Sequence, residues 1–268
     1  MNEHIDVPLE HVSYAKYLWD LTTAANHRQL EMVNIGTETV ERTGIIYPLY
    51  QLVLNPEATD TVCIVAGVHG DEIAGPLSVL RLLQYHLDDL PACFRYVIFP
   101  MVNPGGFDLR QRFDDDYRDL NALYATTLGS KNYGEIQSFY ARVRAYGNFA
   151  AVITLHEDID LDRFYMYGLG EHNRPFYHRL CHLASRRCAC WCDADIYGCH
   201  SDEQGLILAS ARDHALDGAL YAEGLAPIAM TLETPGKLDI GFRVDLMIEL
   251  LLAALNDLAS RRDQPAAV

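Results

Sequence analysis

Four ionisable residues fall at similar places in this 268-residue chain. His69 and Glu72 lie in GVHGDE, His156 in TLHED, and Glu233 in TLETPG, and each stretch follows a short apolar run. Two imidazoles and one carboxylate are enough protein ligands for a catalytic zinc, which keeps a further position for water or substrate. His69 and Glu72 are three residues apart, so one short turn can aim both at one point, while His156 comes from a separate strand. An H-x-x-E pair alone is common by chance. Placed just after a buried strand and joined by a second strand-end histidine, it becomes specific. With one Zn2+ per chain at that point, Glu233 is the expected general base toward water attacking an amide carbonyl. A developing oxyanion needs a positive donor. Arg110, Arg112 and Arg118 are candidates for that role, and the neighbouring Asp114, Asp115 and Asp116 compete for them as surface partners. Asn103 can donate and accept at a strand tip, and Asn121 can bind a substrate carboxylate or amide.

Elements that alternate along the chain must position these groups. The opening segment to about Ile35 reads as a helix with Tyr14, Leu18 and Leu21 on one face. Strands are expected at Ile45 onward, at TVCIVAG, at Phe94 to Val102, at FAAVITLHED and at Ala226 to Thr234. The continuous apolar runs among them are those of strands covered on both faces. Helical patterns span roughly Gly75 to Leu87, Tyr133 to Tyr146, Arg174 to Cys192, and Asp239 to about Leu258. The acidic, aromatic stretch from Arg110 to Tyr124 has no period and reads as a long active loop. Apolar strands separated by helices predict an α/β sandwich with a largely parallel sheet. Ligands in such folds bind beyond the carboxyl ends of the strands, where His69, Glu72, His156 and Glu233 fall.

The bulk properties set limits. Half the residues are hydrophobic and 22% are charged, which suits a packed core rather than a disordered chain. A formal net charge of −16 argues against nucleic acid or an anionic membrane as partner. The N-terminal segment lacks the pattern of a signal peptide, and no apolar run reaches membrane-spanning length, so the expected compartment is the cytoplasm. Seven cysteines, five of them between Cys181 and Cys199, then do not form a disulfide framework. Their C-x-C-x-C spacing is not that of paired zinc ligands; it reads as small buried side chains with one or two exposed thiols. A second metal site, or a Cys192–Cys199 disulfide, is a lesser alternative.

The pieces GVHGDE, FPMVNPGGF, RFDDDYRDLN, TLHED and TLETPG, in that order, resemble the zinc carboxypeptidase superfamily, which includes the succinylglutamate desuccinylase and aspartoacylase branch. The resemblance implies one catalytic domain over residues 1–268, a three-layer α/β/α sandwich with a mixed, mostly parallel central sheet. It implies His69, Glu72 and His156 as zinc ligands, Glu233 as the catalytic glutamate, Arg112 as the oxyanion arginine and Asn121 as a substrate-carboxylate ligand. It also calls for a mobile tyrosine, with Tyr197 and Tyr221 as candidates. Asp158, two residues after His156, is a candidate to steady that imidazole, although side chains at this spacing can also point apart. Two departures stand out. Family carboxypeptidases follow the asparagine with a carboxylate-clamping arginine, and here the next residue is Ala122, so Arg118, Arg163 or Arg243 must substitute or the substrate lacks that carboxylate. Phe113-Asp114 also replaces the usual residues after the oxyanion arginine. The expected activity is hydrolysis of a small peptide; the alternatives are an N-acyl amino acid deacylase and, since all four site residues are present, less readily a non-catalytic binding module. The oligomeric state has no signal in the sequence.

Overall fold

A computed structural model describes residues 12–122, 134–209 and 215–262 of the chain. Its first helix, α1 (Tyr14–His27), is capped by Ser13, whose hydroxyl accepts the Lys16 amide, and buries Tyr14, Tyr17, Leu21, Ala24 and Ala25. The helix stops well short of Ile35, because the chain turns into a strand, β1 (Met32–Val40), that the apolar spacing did not reveal. Its burial is partial almost throughout, as fits an edge strand with a bulge between Asn34 and Gly36. The strands read from the sequence are present as β2 (Ile45–Leu54), β3 (Asp60–Ala66), β4 (Phe94–Phe99), β5 (Ala151–Asp158) and β10 (Ala229–Pro235). Four short strands escape the sequence pattern: β6 (Tyr165–Gly168), β7 (Ala194–Ile196), β8 (Cys199–Ser201) and β9 (Leu206–Leu208). Runs of three or four residues are too short to show a period.

The main sheet has eight strands in the order β1-β2-β4-β3-β5-β10-β6-β9, and β7 pairs with β8 in a separate ribbon. The central strands β4, β3, β5 and β10 run parallel, while β1, β2 and β6 join by antiparallel pairing. The expected mixed, mostly parallel sheet is therefore present. Helices connect and cover it: α2 (Ala74–Arg81), α3 (Pro104–Leu109), α4 (Gly134–Ala145), α5 (Arg174–Ser185), α6 (Leu216–Ala222) and α7 (Ile240–Arg262). Two expected helices end differently. The pattern from Gly75 to Leu87 is α-helical only to Arg81, then passes through a π turn (Leu82–His86), and α5 ends at Ser185 rather than near Cys192. Tyr124 and Tyr133, at the ends of expected elements, lie outside the described residues.

Strand alternation sorts the core into two layers. Val62, Ile64 and Ala66 of β3, with Ile153 and Leu155 of β5 and Met230 and Leu232 of β10, face the layer of α1, α2, α5 and α7. Cys63, Val65, Val152 and Ala229 face the opposite layer, with α4 and α6. His156 and Glu233 share the parity of the second set, so the sheet presents both on one face. No helix among the described residues is long and apolar enough to cross a membrane.

The loops at the carboxyl ends of β3 and β4 press on each other. A Cβ at Gly70 would lie 2.0 Å from the carbonyl carbon of Gly106, with no flexible side chain to give way. Gly147 has φ +75° but open space where a Cβ would stand. Gly70→Ala is therefore expected to destabilise by about 3 kcal/mol or more through forced backbone movement, against about 1 kcal/mol for Gly147→Ala from backbone strain alone. Urea midpoints of the two variants check this, and equal midpoints would refute it.

Candidate active site

Gly67 (φ +65°) ends β3 with a left-handed turn that favours glycine, and a Cβ there would also crowd Pro76 Cγ at 3.1 Å and the Met101 Cα at 3.3 Å. The turn sends Val68-His69-Gly70-Asp71-Glu72 back over the sheet end toward β5. His69, Glu72 and His156 are all buried, 2%, 4% and 1% exposed. Their ligand atoms lie within 4.8 Å of one another. His69 Nδ1 is 2.5 Å from Glu72 Oε1, and His156 Nδ1 is 2.7 Å from Glu72 Oε2. Two imidazole nitrogens and a carboxylate thus converge on a common point, a donor set and placement that fit a divalent metal ion. His156 Nε2, by contrast, is buried without a hydrogen-bond partner. Among the described residues no other His, Cys, Asp or Glu group has such geometry. All seven cysteines are free thiols, so Cys192 and Cys199 are not bridged.

The rest of the site is built around this triad. Asp119 accepts from His69 Nε2 at 3.1 Å and so orients that ring from behind. Arg112 reaches Glu72 Oε1 at 3.3 Å through Nη1 and grips Asp119 Oδ2 through Nε and Nη2 at 3.2 and 3.1 Å. Glu233 of β10 is the register partner of His156 on β5, and of Tyr165 on β6. Its carboxylate, 9% exposed, has no hydrogen-bond partner among the described residues and faces a cavity of about 680 Å³. His69, Glu72, Arg112, Asn121, Tyr197 and Glu233 all line that cavity. Asn103 caps α3 by accepting the Gly106 amide and donates to the Arg112 carbonyl, so it acts at the strand tip as expected.

Other expectations are corrected. Arg118 points away from the cavity, paired with Asp114 Oδ2 at 2.6 Å and Asp116 Oδ2 at 3.0 Å. Arg163 lies against Asp162 at 3.7 Å, Arg243 is buried against Glu157, and none of the three is among the residues lining the cavity. Asp158 does not touch the His156 ring; it accepts from the hydroxyls of Tyr165 at 3.0 Å and Tyr197 at 3.2 Å. The reason is the strand period: Asp158 shares the face of His156 but stands one pleat further out, over the ribbon. Tyr197 occupies the tight turn of the β7–β8 ribbon, with φ +49° followed by Gly198 at +81°, and Tyr221 packs against the core instead. Asp71, between the two ligand candidates, has its Oδ1 buried without a hydrogen-bond partner. The sequence pattern did not single out Asp119, Glu157 or Asp217. Asp119 stands within the RFDDDYRDLN motif, but nothing in the spacing says which of four nearby acids meets a histidine fifty residues earlier.

Electrostatics follow from burial plus pairing. Burial alone favours a neutral Glu72, yet the charges and hydrogen bonds of His69 and His156 outweigh it and hold the carboxyl well below its usual range. Burial likewise opposes a charged His69, but Glu72 and Asp119 lift it to about 9. Glu233 is pushed well above the usual carboxyl range, first by burial and then by the Glu72 and Asp158 charges, with Arg112 opposing. A positive charge at the triad pulls it back toward the range useful to a general base. The pH signature follows. With a folded value near 9 against 6.5 for a free imidazole, His69 stabilises the metal-free protein fully below pH 6.5, and that contribution disappears as pH rises through 9. A metal must displace this proton, so affinity should rise over the same window. Thermal midpoints of chelator-treated protein falling, and Zn2+ affinity rising, from pH 6.5 to 9 are the expected pair of trends; a flat affinity profile would remove His69 from the ligand set.

Residues 58–190, just under half the chain, match the family model of the succinylglutamate desuccinylase/aspartoacylase catalytic domain. No curated protein sequence matches the chain. Among solved structures, a protein from Shewanella amazonensis SB2B with a provisional metallopeptidase label superposes with a TM-score of 0.77 at 22% identity, over 91% of this chain and 92% of that one. A metallo-carboxypeptidase from Burkholderia cenocepacia gives 0.72 at 17% identity, over 94% and 70%. Bovine thrombin-activatable fibrinolysis inhibitor, solved with a tick carboxypeptidase inhibitor, gives 0.63 at 16% identity, over 94% and 97%. The chain therefore shares the fold of these metallopeptidase and metallo-carboxypeptidase structures, and its stretch from β3 to just past α5 is similar to the desuccinylase/aspartoacylase catalytic domain.

Proposed function

We propose that this protein is a zinc-dependent amide hydrolase of the metallocarboxypeptidase type that acts on small peptides. The observation that carries the reading is the convergence of His69, Glu72 and His156 at the edge of a cavity of about 680 Å³, with the unpartnered Glu233 carboxylate directly across from His156. A zinc ion held there supplies Lewis acidity toward an amide carbonyl and acidifies water. Glu233 takes a proton from water at its free carboxylate oxygens and returns it to the leaving nitrogen. Arg112, already oriented by Asp119, offers a guanidinium edge to negative charge developing on the carbonyl oxygen. Asn121 on the cavity wall contacts the substrate's polar end, and the Tyr197 hydroxyl, tethered to Asp158, closes the opposite side.

The second reading is an N-acyl amino acid deacylase. It is favoured by the match of residues 58–190 to the desuccinylase/aspartoacylase model and by Ala122 in place of the clamping arginine. The cavity lining bears on the substrate in either case. Asp158 and Asp160 line it with no ion-pair partner among the described residues, and Arg112 is the one arginine or lysine in the lining, while burial pushes the carboxyls of Asp71, Asp217 and Glu233 up toward their neutral forms. Such a lining disfavours a substrate bearing two or three negative charges.

Three outcomes are expected. His69→Ala and His156→Ala abolish stoichiometric zinc in protein purified without a histidine tag. Glu233→Gln keeps the fold and the metal but lowers kcat/KM about 10³-fold, within the range for loss of a general base; retention of activity would end its assignment. In a panel of short peptides and N-acyl amino acids, neutral and basic compounds should be hydrolysed in preference to di-acids. Cleavage of N-acyl amino acids alone moves the protein to the deacylase reading, and a preference for di-acids contradicts the charge argument.

A further inference from the structure

Among the described residues, Glu157 and Arg243 form the most deeply buried ion pair outside the triad, 1% and 7% exposed. Strand alternation turns Glu157 to the face opposite His156, away from the cavity centre and toward α2 and α7. Its carboxylate works in two directions. Oε1 accepts the backbone amide of Ala74 at 2.9 Å, and Oε2 accepts from Arg243 Nη1 at 2.5 Å. Its backbone amide, meanwhile, donates to Glu72 Oε2 at 3.2 Å. One residue therefore holds Glu72 twice: directly at the carboxylate, and through the chain two residues further on.

The Ala74 amide needs this acceptor. Ala74 opens α2, its first amides have no partner within the helix, and the preceding Ile73 provides no side-chain cap. Gly75 lies so close to β5 that a Cβ there would stand 2.6 Å from the Leu155 carbonyl oxygen, so the helix start is pressed onto the strand and Glu157 is within reach of it. Arg243, in the first turn of α7, fixes the second oxygen. Fold stability alone is a weak reason for such an arrangement. A buried ion pair stabilises little relative to apolar groups of equal volume, and Arg243 Nε is left buried without a partner, which adds cost.

We propose that Glu157, its buried charge balanced by Arg243 of α7, is a positioning residue for the metal site: its side chain fixes the Glu72 turn against β5 and so sets the affinity for metal. The inference rests on the metal-centre reading above and adds residues that do not touch the metal or the substrate.

The test is the Zn2+ dissociation constant, measured by competition with a chromophoric chelator on folded, metal-stripped protein. Glu157→Leu/Arg243→Met removes the pair and keeps the volume. A purely structural pair predicts unchanged affinity; the positioning role predicts a roughly 10- to 100-fold loss, the usual effect of removing a partner that orients a metal ligand. Glu157→Gln/Arg243→Met restores an acceptor for the Ala74 amide without the charge and should remain within about threefold of the parent, given that acceptor's role in orientation. Affinity unchanged in the first pair, or equally lost in both, overturns the proposal. Should the Leu/Met pair not fold, Glu157→Asp shortens the arm and keeps the charge: a loss of the same order supports the proposal, and parent-like affinity overturns it. A parent protein that binds no Zn2+ would instead defeat the metal-centre reading itself.

Discussion

A single buried carboxylate, Glu72, organises this end of the molecule. It lies between two imidazoles, within reach of a guanidinium and under a backbone amide. An isolated carboxylate at that depth would give up its charge. It keeps the charge because four groups from three parts of the chain, around His69, Arg112 and His156-Glu157, surround it. The constraint is mutual: the donors also gather where they do because the carboxylate is there. This explains the tight loop packing nearby. Gly67, Gly70 and Gly75 each stand where a side chain would strike a neighbour: the first two bring β3's turn against the segment that follows β4, and Gly75 brings the start of α2 against the strand carrying His156.

The two sides of β5 divide the work. On one face, Thr154 and His156 look across to Thr231 and Glu233 of β10, and a line of polar groups runs down from the triad to Asp217, which accepts from the Thr231 hydroxyl at 2.9 Å. On the other face Glu157 ties the strand to α2 and α7. The chemistry-bearing residues are therefore adjacent in sequence but opposed in space, and the HED triplet serves three purposes. His156 meets the triad, Glu157 anchors the turn that carries Glu72, and Asp158 gathers the tyrosines at the rim.

That division also bears on substrate chemistry. Of the arginines that a carboxylate-clamping reading would enlist, Arg118 is held by Asp114 and Asp116 and Arg243 by Glu157, and Arg163 does not line the cavity. What remains at the cavity among the described residues is Arg112 amid carboxylates. The fold keeps the corner where His69, Glu72 and His156 converge, while Ala122 stands where the resemblance calls for a second arginine.

The order of residues was sufficient to specify the layered architecture, the central strands and the triad with its opposing glutamate. Those signals are local: continuous apolar runs report strands covered on both faces, and His and Glu next to such runs need no long-range information to be noticed. The same order was not sufficient for β1 or the short strands β6 to β9, whose residues are half-buried or too few to show a period. Nor did it say which of several equivalent charges meet. Arg112 and Arg118, Asp119 and Asp158, and Tyr197 and Tyr221 are interchangeable on a string of letters. The folded chain alone chooses among them, because an ion pair or hydrogen bond depends on a separation of about 3 Å, and that separation is set by how distant loops pack rather than by how far apart the residues lie along the chain.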